Sequence, residues 1–280
     1  MKISSLTIVG VGLIGGSIGL AAKRRGMAKR VIGVGRRRDS LERSRTLGAV
    51  DEIHLDLAAG VSHADIVVFC TPVTQIAEQV LETAGSCSPG TLLTDAGSTK
   101  ATIVREVEKH LSRDAAFVGS HPLAGSEKRG PEYADADLFR DRLTIVTRTP
   151  RTDAAALERT CDFWQALGSR VQVMDPDEHD RTLALTSHLP HLLASALAGI
   201  LPPELSPFTA SGFRDTTRVA SGDPSLWTGI FNHNRAGVLE AFSKLQVRLH
   251  EIESALQAGD WPALTELLTQ AKKVRDALGS

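Results

Sequence analysis

The sequence predicts an α/β fold: a parallel sheet covered by helices over residues 1–174, followed by an all-helical region over 175–280. Three observations predict it. Short apolar runs alternate with amphipathic stretches through the first half. A glycine-rich turn joins the first run to the first helical stretch. After Met174 the strand signals stop. With 280 residues, 42% of them hydrophobic and 23% charged, the chain is long enough for two domains with buried cores.

Taken in order, the apolar runs predict strands at 6–10, 31–35, 65–70, 91–95, 115–120 and 143–147, and a last one at 170–174 that closes the domain. Asp39-Ser-Leu-Glu42 reads as a capping box, which makes Asp39 a helix cap rather than a ligand. Asp175-Pro-Asp-Glu178 opens the helical half with cap, proline and acid each in its preferred place. Further on, Val238, Phe242, Leu245, Leu249, Ile252 and Leu256 recur at intervals of four and three. Such a seam suits packing against another helix, of the same chain or of a second subunit.

The net charge of −1 gives no general attraction for nucleic acid or anionic lipid. Cys70, Cys87 and Cys161 are widely spaced and form no CxxC pair, as expected of a reduced, cytoplasmic chain. No signal peptide is expected, because the chain enters an apolar strand by Leu6 without a charged head. The most apolar later stretch, 183–201, is broken by Ser187, His188, Pro190 and His191 and makes a poor membrane span.

Gly10-Val-Gly12-Leu-Ile-Gly15 follows a predicted strand, opens a predicted helix and precedes a second strand, the context of a Rossmann-type dinucleotide site. Gly10 permits the tight turn, Gly12 lets the backbone approach a pyrophosphate, and Gly15 lets helix pack on sheet. Leu13 and Ile14 contribute backbone N–H groups at the helix start. An NAD-binding version of this unit carries an acid about 20 residues further on. Here that position is Gly35, followed by Arg36, Arg37 and Arg38. An arginine fork can hold a 2′-phosphate, so NADP is the expected cofactor and NAD the alternative, with the arginines then a solvated loop.

Thr94-Asp-Ala-Gly-Ser-Thr-Lys100 and Gly119-Ser-His-Pro-Leu-Ala-Gly-Ser-Glu127 follow the fourth and fifth strands, at the sheet edge where ligands bind. This places His121 where an imidazole can take a proton as a hydride leaves. Ser187-His-Leu-Pro-His191 sets His188 and His191 on one helix face, but no third ligand has metal-site spacing, so no metal is expected. Arg214 and Arg218, in Phe213-Arg-Asp-Thr-Thr-Arg218, could bind a carboxylate or be surface charges.

These clusters, in this order, resemble the prephenate and arogenate (cyclohexadienyl) dehydrogenases of tyrosine biosynthesis. The resemblance rests on "VGVGLIGGSIG" at 9–19, "TDAGSTK" at 94–100, "GSHPLAGSEKRG" at 119–130, "TSHLPH" at 186–191 and "FRDTTRVASGDPSLW" at 213–227. It implies a Rossmann domain, a helical dimerisation domain with the active site in the cleft between them, and a homodimer. It also implies an oxidative decarboxylation: a hydride passes to the oxidised nicotinamide, the ring carboxylate leaves as CO2, and the ring becomes aromatic. By the same resemblance His121 is the catalytic histidine, Ser98 shares its contact with the ring hydroxyl, His191 lies in the substrate pocket, and Arg218 binds a substrate carboxylate. Ser187 is a weaker expectation for a substrate contact, as are Thr71 and Pro72 for the cofactor. The choice between prephenate and arogenate stays open.

Two other readings compete. One is a two-domain β-hydroxyacid dehydrogenase or imine reductase, but such enzymes usually use a lysine of the helical domain as the acid, and "SHLPH" and "FRDTTR" suit them poorly. The other is a non-catalytic NADP-sensing protein, which would need no convergence of Ser98, His121, His191 and Arg218.

Overall fold

The computed structural model describes residues 1–112, 115–126 and 128–279. The chain begins β1 (Ile3–Val9), α1 (Leu13–Arg24), β2 (Ala28–Val34), α2 (Arg38–Thr46), β3 (Glu52–His54), α3 (Leu57–Val61) and β4 (Ile66–Phe69). It continues α4 (Val73–Ala84), β5 (Leu92–Asp95), α5 (Ala101–His110) and β6 (Ala116–Val118). These six strands form one parallel sheet in the order β3-β2-β1-β4-β5-β6. Its strands read as unbroken apolar runs because helices cover both faces. Ile66 and Val68 enter the core on one side, Val67 and Phe69 the core on the other, and all four are fully buried. The strand order reverses between β1 and β4, which opens a crevice at their carboxyl ends.

Beyond β6 the structure departs from the expected single sheet. The predicted strand 115–120 is broken at Gly119, where a Cβ would lie 2.7 Å from Thr147 Oγ1 and 3.0 Å from Val104 Cγ2. The chain turns there into β7 (Ser120–Pro122), which pairs antiparallel with β8 (Leu143–Thr147). After α6 (Ala154–Ala166), β9 (Arg170–Met174) adds parallel to β8, so the runs 143–147 and 170–174 form a separate three-stranded sheet. Trp164 of α6 is fully buried where the two sheets meet and donates its indole N–H to Ser120 Oγ at 2.8 Å.

One local expectation also changes, and one strand is unexpected. The capping box at Asp39 is not formed: α2 starts two residues earlier, Arg37 is its N-cap without a side-chain cap, and Asp39 lies in the first turn. Short β3 carries no apolar alternation that sequence could show.

The second half is helical, as expected. α7 (Pro176–Leu183) is capped by Asp175, whose carboxylate accepts from the N–H groups of Asp177 and Glu178. A π-helical turn, Ala184–His188, separates it from α8 (Leu189–Gly199). Pro190 stands in the first turn of α8, and its missing N–H and bulky ring account for the widened turn before it. Then come α9 (Ser211–Thr217), a 3-10 turn at Arg218–Ser221, α10 (Pro224–His233), α11 (Arg235–Ala258) and α12 (Trp261–Ala277). Of the predicted seam on α11, Val238 is buried and Leu245 and Ile252 half-buried, whereas Phe242, Leu249 and Leu256 are exposed. Leu268 and Val274 of α12 are exposed too.

Candidate active site

A cavity of about 1080 Å3 opens between the two halves. Ser98, His121 and the segment 122–126 line it from the sheet side; Thr186, Ser187, His188, Arg218 and Trp227 line it from the helical side. Three predicted residues, Ser98, His121 and Arg218, are therefore brought together, although they are scattered along the chain. Glu127, in the same segment as His121, lies outside the described residues.

His121 sits on β7 and its Nδ1 is 2.9 Å from His179 Nε2. His179 Nδ1 is in turn 2.8 Å from Asp180 Oδ1. Asp180 also accepts the backbone N–H of Lys100 at 2.8 Å and of Ala101 at 3.0 Å. Burial pulls the Asp180 carboxyl up, but the bonds from His179 and these N–H groups outweigh it and leave its pKa below the usual value. Asp180 is thus a carboxylate and can only accept, so His179 must carry its proton on Nδ1. His179 Nε2 then accepts, His121 donates from Nδ1, and His121 Nε2 keeps its lone pair. Burial foremost, then the His179, Lys100 and His188 charges, hold His121 well below the usual imidazole value, so it is neutral near pH 7.

Beneath His121 lies a second buried cluster. Lys100 and Asp95 are both fully buried and form an ion pair, and Lys100 Nζ also donates to the Ser120 carbonyl at 2.9 Å. Asp95 accepts the N–H of Gly97 and of Ser120, each at 2.9 Å. The polar residues of "TDAGSTK" that lie below the surface thus bind the end of β5 to the start of β7 and hold the strand bearing His121.

The two histidines of "SHLPH" line two adjoining cavities. The π-turn sends His188, not His191, into the main cavity. Asn234 Nδ2 donates to the Asp180 carbonyl at 2.6 Å and to His188 Nδ1 at 3.0 Å, which leaves the His188 proton on Nε2, a buried atom without a partner among the described residues. Burial pushes His188 down to about 4. His191 is stacked on Trp227, ring centroids 3.6 Å apart, and lines a separate cavity of about 390 Å3. The two cavities share Gly222 and Trp227 as lining, so His191 borders the main one. Sequence reasoning missed His179 and Asp180 altogether; "EHD" straight after a helix cap looks like any solvated first turn.

The glycine turn has the shape a dinucleotide needs. Gly10 has φ +93°, and a Cβ there would lie 2.9 Å from the Cys70 carbonyl oxygen. A Cβ on Gly15 would lie 2.3 Å from Gly10 O. Gly12 faces open space, α1 has no side-chain cap and its first turn has no acid, so its N–H groups are free to meet phosphate. Thr71 donates its hydroxyl to Gln79 at 2.5 Å and its methyl adjoins Gly10; Pro72 caps α4 beside it. Arg36 and Arg37 are exposed beyond β2 and form no ion pair among the described residues, whereas Arg38 lies 3.8 Å from Glu42. Gly125, which lines the cavity, comes within 3.6 Å of Ile14 Cδ1 when given a Cβ, so cavity and glycine turn adjoin.

Comparison with known proteins agrees with this geometry. Residues 18–173 match the family description "Prephenate dehydrogenase, nucleotide-binding domain", and 175–270 match "Prephenate dehydrogenase, dimerization domain". The chain is 34% identical over 281 residues to a prephenate dehydrogenase of Bacillus subtilis, covering 98% of this chain and 76% of that protein. A crystal structure of prephenate dehydrogenase from A. aeolicus in complex with hydroxyphenyl propionate and NAD+ superposes with TM-score 0.91 at 30% identity, covering 99% of both chains. The structure of Synechocystis arogenate dehydrogenase superposes with TM-score 0.82, also at 30% identity, covering 98% of this chain and 99% of that one. The β-hydroxyacid dehydrogenases align with TM-scores of 0.53 and 0.61 and identities of 15% and 14%, a likeness of fold alone. With both halves matched and these relatives aligned along nearly its whole length, the chain belongs to the prephenate dehydrogenase family.

Proposed function

We propose that this chain catalyses the oxidative decarboxylation of prephenate or arogenate in tyrosine biosynthesis, with His121 as the base. The observation that carries the reading is His121, bonded through Nδ1 to His179 and with no hydrogen bond to Nε2 among the described residues, lining one cavity with Ser98 and Arg218. The relatives are named for both substrates at the same 30% identity, so likeness does not choose between them.

The residues divide the work by chemistry. His121 Nε2 accepts the proton of the ring hydroxyl, and Ser98 hydrogen-bonds the same oxygen. An oxidised nicotinamide held at the glycine turn 10–15 would supply the acceptor for the hydride on the carbon bearing that hydroxyl. Loss of the ring carboxylate as CO2 then makes the ring aromatic, which drives the reaction, and the phenolate oxygen so formed takes the proton back from His121. Arg218 holds a substrate carboxylate, for which a guanidinium offers paired donors. His188, with its proton on Nε2, supplies a neutral donor to a substrate oxygen. His191, stacked on the cavity-lining Trp227, completes the substrate pocket from the helical side.

For the cofactor, Gly10, Gly12, Leu13, Ile14 and Gly15 hold the pyrophosphate, with Thr71 and Pro72 at the neighbouring strand end. Arg36 and Arg37 favour NADP over NAD, supported by their exposure and by the absence of an acid at Gly35. We place the division between the domains after Met174, supported by the change there from β9 to α7. The enzyme works as a homodimer through the open apolar face of α11 and α12, and resides in the cytoplasm, in keeping with three free cysteines.

The test is the initial rate of reduced-nicotinamide formation with prephenate and arogenate, each with NADP and NAD, for the native enzyme and His121→Asn. Turnover that falls by about 100-fold or more in the variant supports the reading, as expected for loss of a general base. Turnover of neither substrate by the native enzyme refutes it.

A further inference from the structure

We propose that Asp180 and His179 are positioning residues that set the tautomer of His121, and that they do so through the docking of the helical domain on α5. The inference rests on the reading of His121 as the base and adds what holds it in the basic form.

The N-terminus of α5 has no side-chain cap of its own. Its first N–H groups, from Lys100 and Ala101, are taken instead by the carboxylate of Asp180, which arrives from α7, 80 residues further along the chain. One contact therefore does two things. It joins the helical domain to the nucleotide-binding domain, because free helix N–H groups favour an anion. It also leaves Asp180 Oδ1 as the acceptor facing His179 Nδ1 at 2.8 Å. From there the direction of every bond is forced, as far as the lone pair on His121 Nε2. Asn234 holds the Asp180 carbonyl from the other side at 2.6 Å, which fixes the backbone that carries both residues. The proton taken from substrate is held on His121 until the phenolate oxygen takes it back; His179 and Asp180 orient the ring and move no proton themselves. A carboxylate–imidazole pair is the ordinary device for fixing which nitrogen of a histidine carries hydrogen. Here a second imidazole extends its reach to His121.

The full-length enzyme tests this with Asp180→Asn, whose amide turns an N–H2 toward one of three donors that a carboxylate satisfied. Two-bond 1H–15N correlation of the His121 ring, assigned by its loss in His121→Asn, is expected to show Nδ1–H with a free Nε2 in the native enzyme. In Asp180→Asn the Nε2–H form is expected to gain, with kcat down by about 100-fold and cofactor Kd within about twofold. An unchanged His121 tautomer in Asp180→Asn overturns the proposal, whatever kcat does. A shifted tautomer alongside full activity of His121→Asn keeps the positioning role and removes His121 as the base, so the two failures are distinguishable. Should Asp180→Asn not fold, His179→Gln and His179→Leu decide. Glutamine keeps an acceptor for His121 Nδ1 and is expected to retain kcat within about tenfold of native, while leucine loses about 100-fold. Equal losses in the two variants mean that His179 only packs, and overturn the proposal.

Discussion

Acidification should destabilise this protein by an amount that one histidine makes calculable. His188 is 1% exposed, accepts from Asn234 on Nδ1, and is pushed down to about 4 by burial. In the unfolded chain its pKa returns to about 6.5. The unfolded chain therefore binds the proton first as pH falls. The stability at stake is fully present above pH 6.5, drains away between 6.5 and 4, and levels off below about 4, where both states are protonated. The gap, about 6.5 minus 4 or 2.5 pH units at roughly 1.36 kcal/mol each, amounts to about 3 kcal/mol. His121, His179, His191 and His233 lie below their usual value for the same first cause, burial, so the whole protein loses more than this. His188→Asn isolates the one contribution, since its amide oxygen keeps an acceptor for Asn234 and cannot titrate. Urea unfolding across about pH 4 to 7.5 should show the native protein losing about 3 kcal/mol more than the variant. Parallel pH profiles would refute both the burial argument and the neutral state assigned to His188.

Three other outcomes are expected. Arg36→Asp should weaken NADP binding by about 10- to 100-fold, the worth of one or two charge-assisted bonds, and leave NAD binding nearly unchanged; equal changes in the two Kd values, read by fluorescence titration, would remove the 2′-phosphate role. Gly15→Ala places a Cβ 2.3 Å from Gly10 O, so the turn must shift. It should cost about 1–3 kcal/mol in thermal unfolding together with cofactor affinity, and a native-like Tm with native cofactor Kd would refute the steric role of Gly15. Leu249→Glu puts a charge on the exposed face of α11, where Leu249 is 49% exposed, and should convert dimer to monomer in sedimentation without loss of helix content.

What sequence by itself determined is whatever depends on near neighbours in the chain. The glycine turn is legible because a strand end, Gly10, Gly12, Gly15 and a helix start follow one another within a few residues, and a Cβ on Gly15 would strike Gly10 itself. The Asp175 cap is legible because its acceptor serves N–H groups two and three positions on. Motif resemblance added Ser98, His121 and Arg218, which the fold then brought to one cavity. Tertiary structure alone decided the rest. Gly119 ends a strand because Thr147 and Val104 crowd it, and neither is a neighbour in sequence. Asp39 and Asp175 look alike as caps, yet only Asp175 is used, because α2 starts ahead of Asp39. His188 and His191 are equivalent on a regular helix, and the widened turn before Pro190 separates them into two cavities. His179 meets His121 across 58 residues, and Asp180 meets α5 across 80, distances over which no local spacing carries information. Which atom of His121 faces the cavity with a lone pair follows from those long-range bonds, because a tautomer belongs to a hydrogen-bond network and not to a residue.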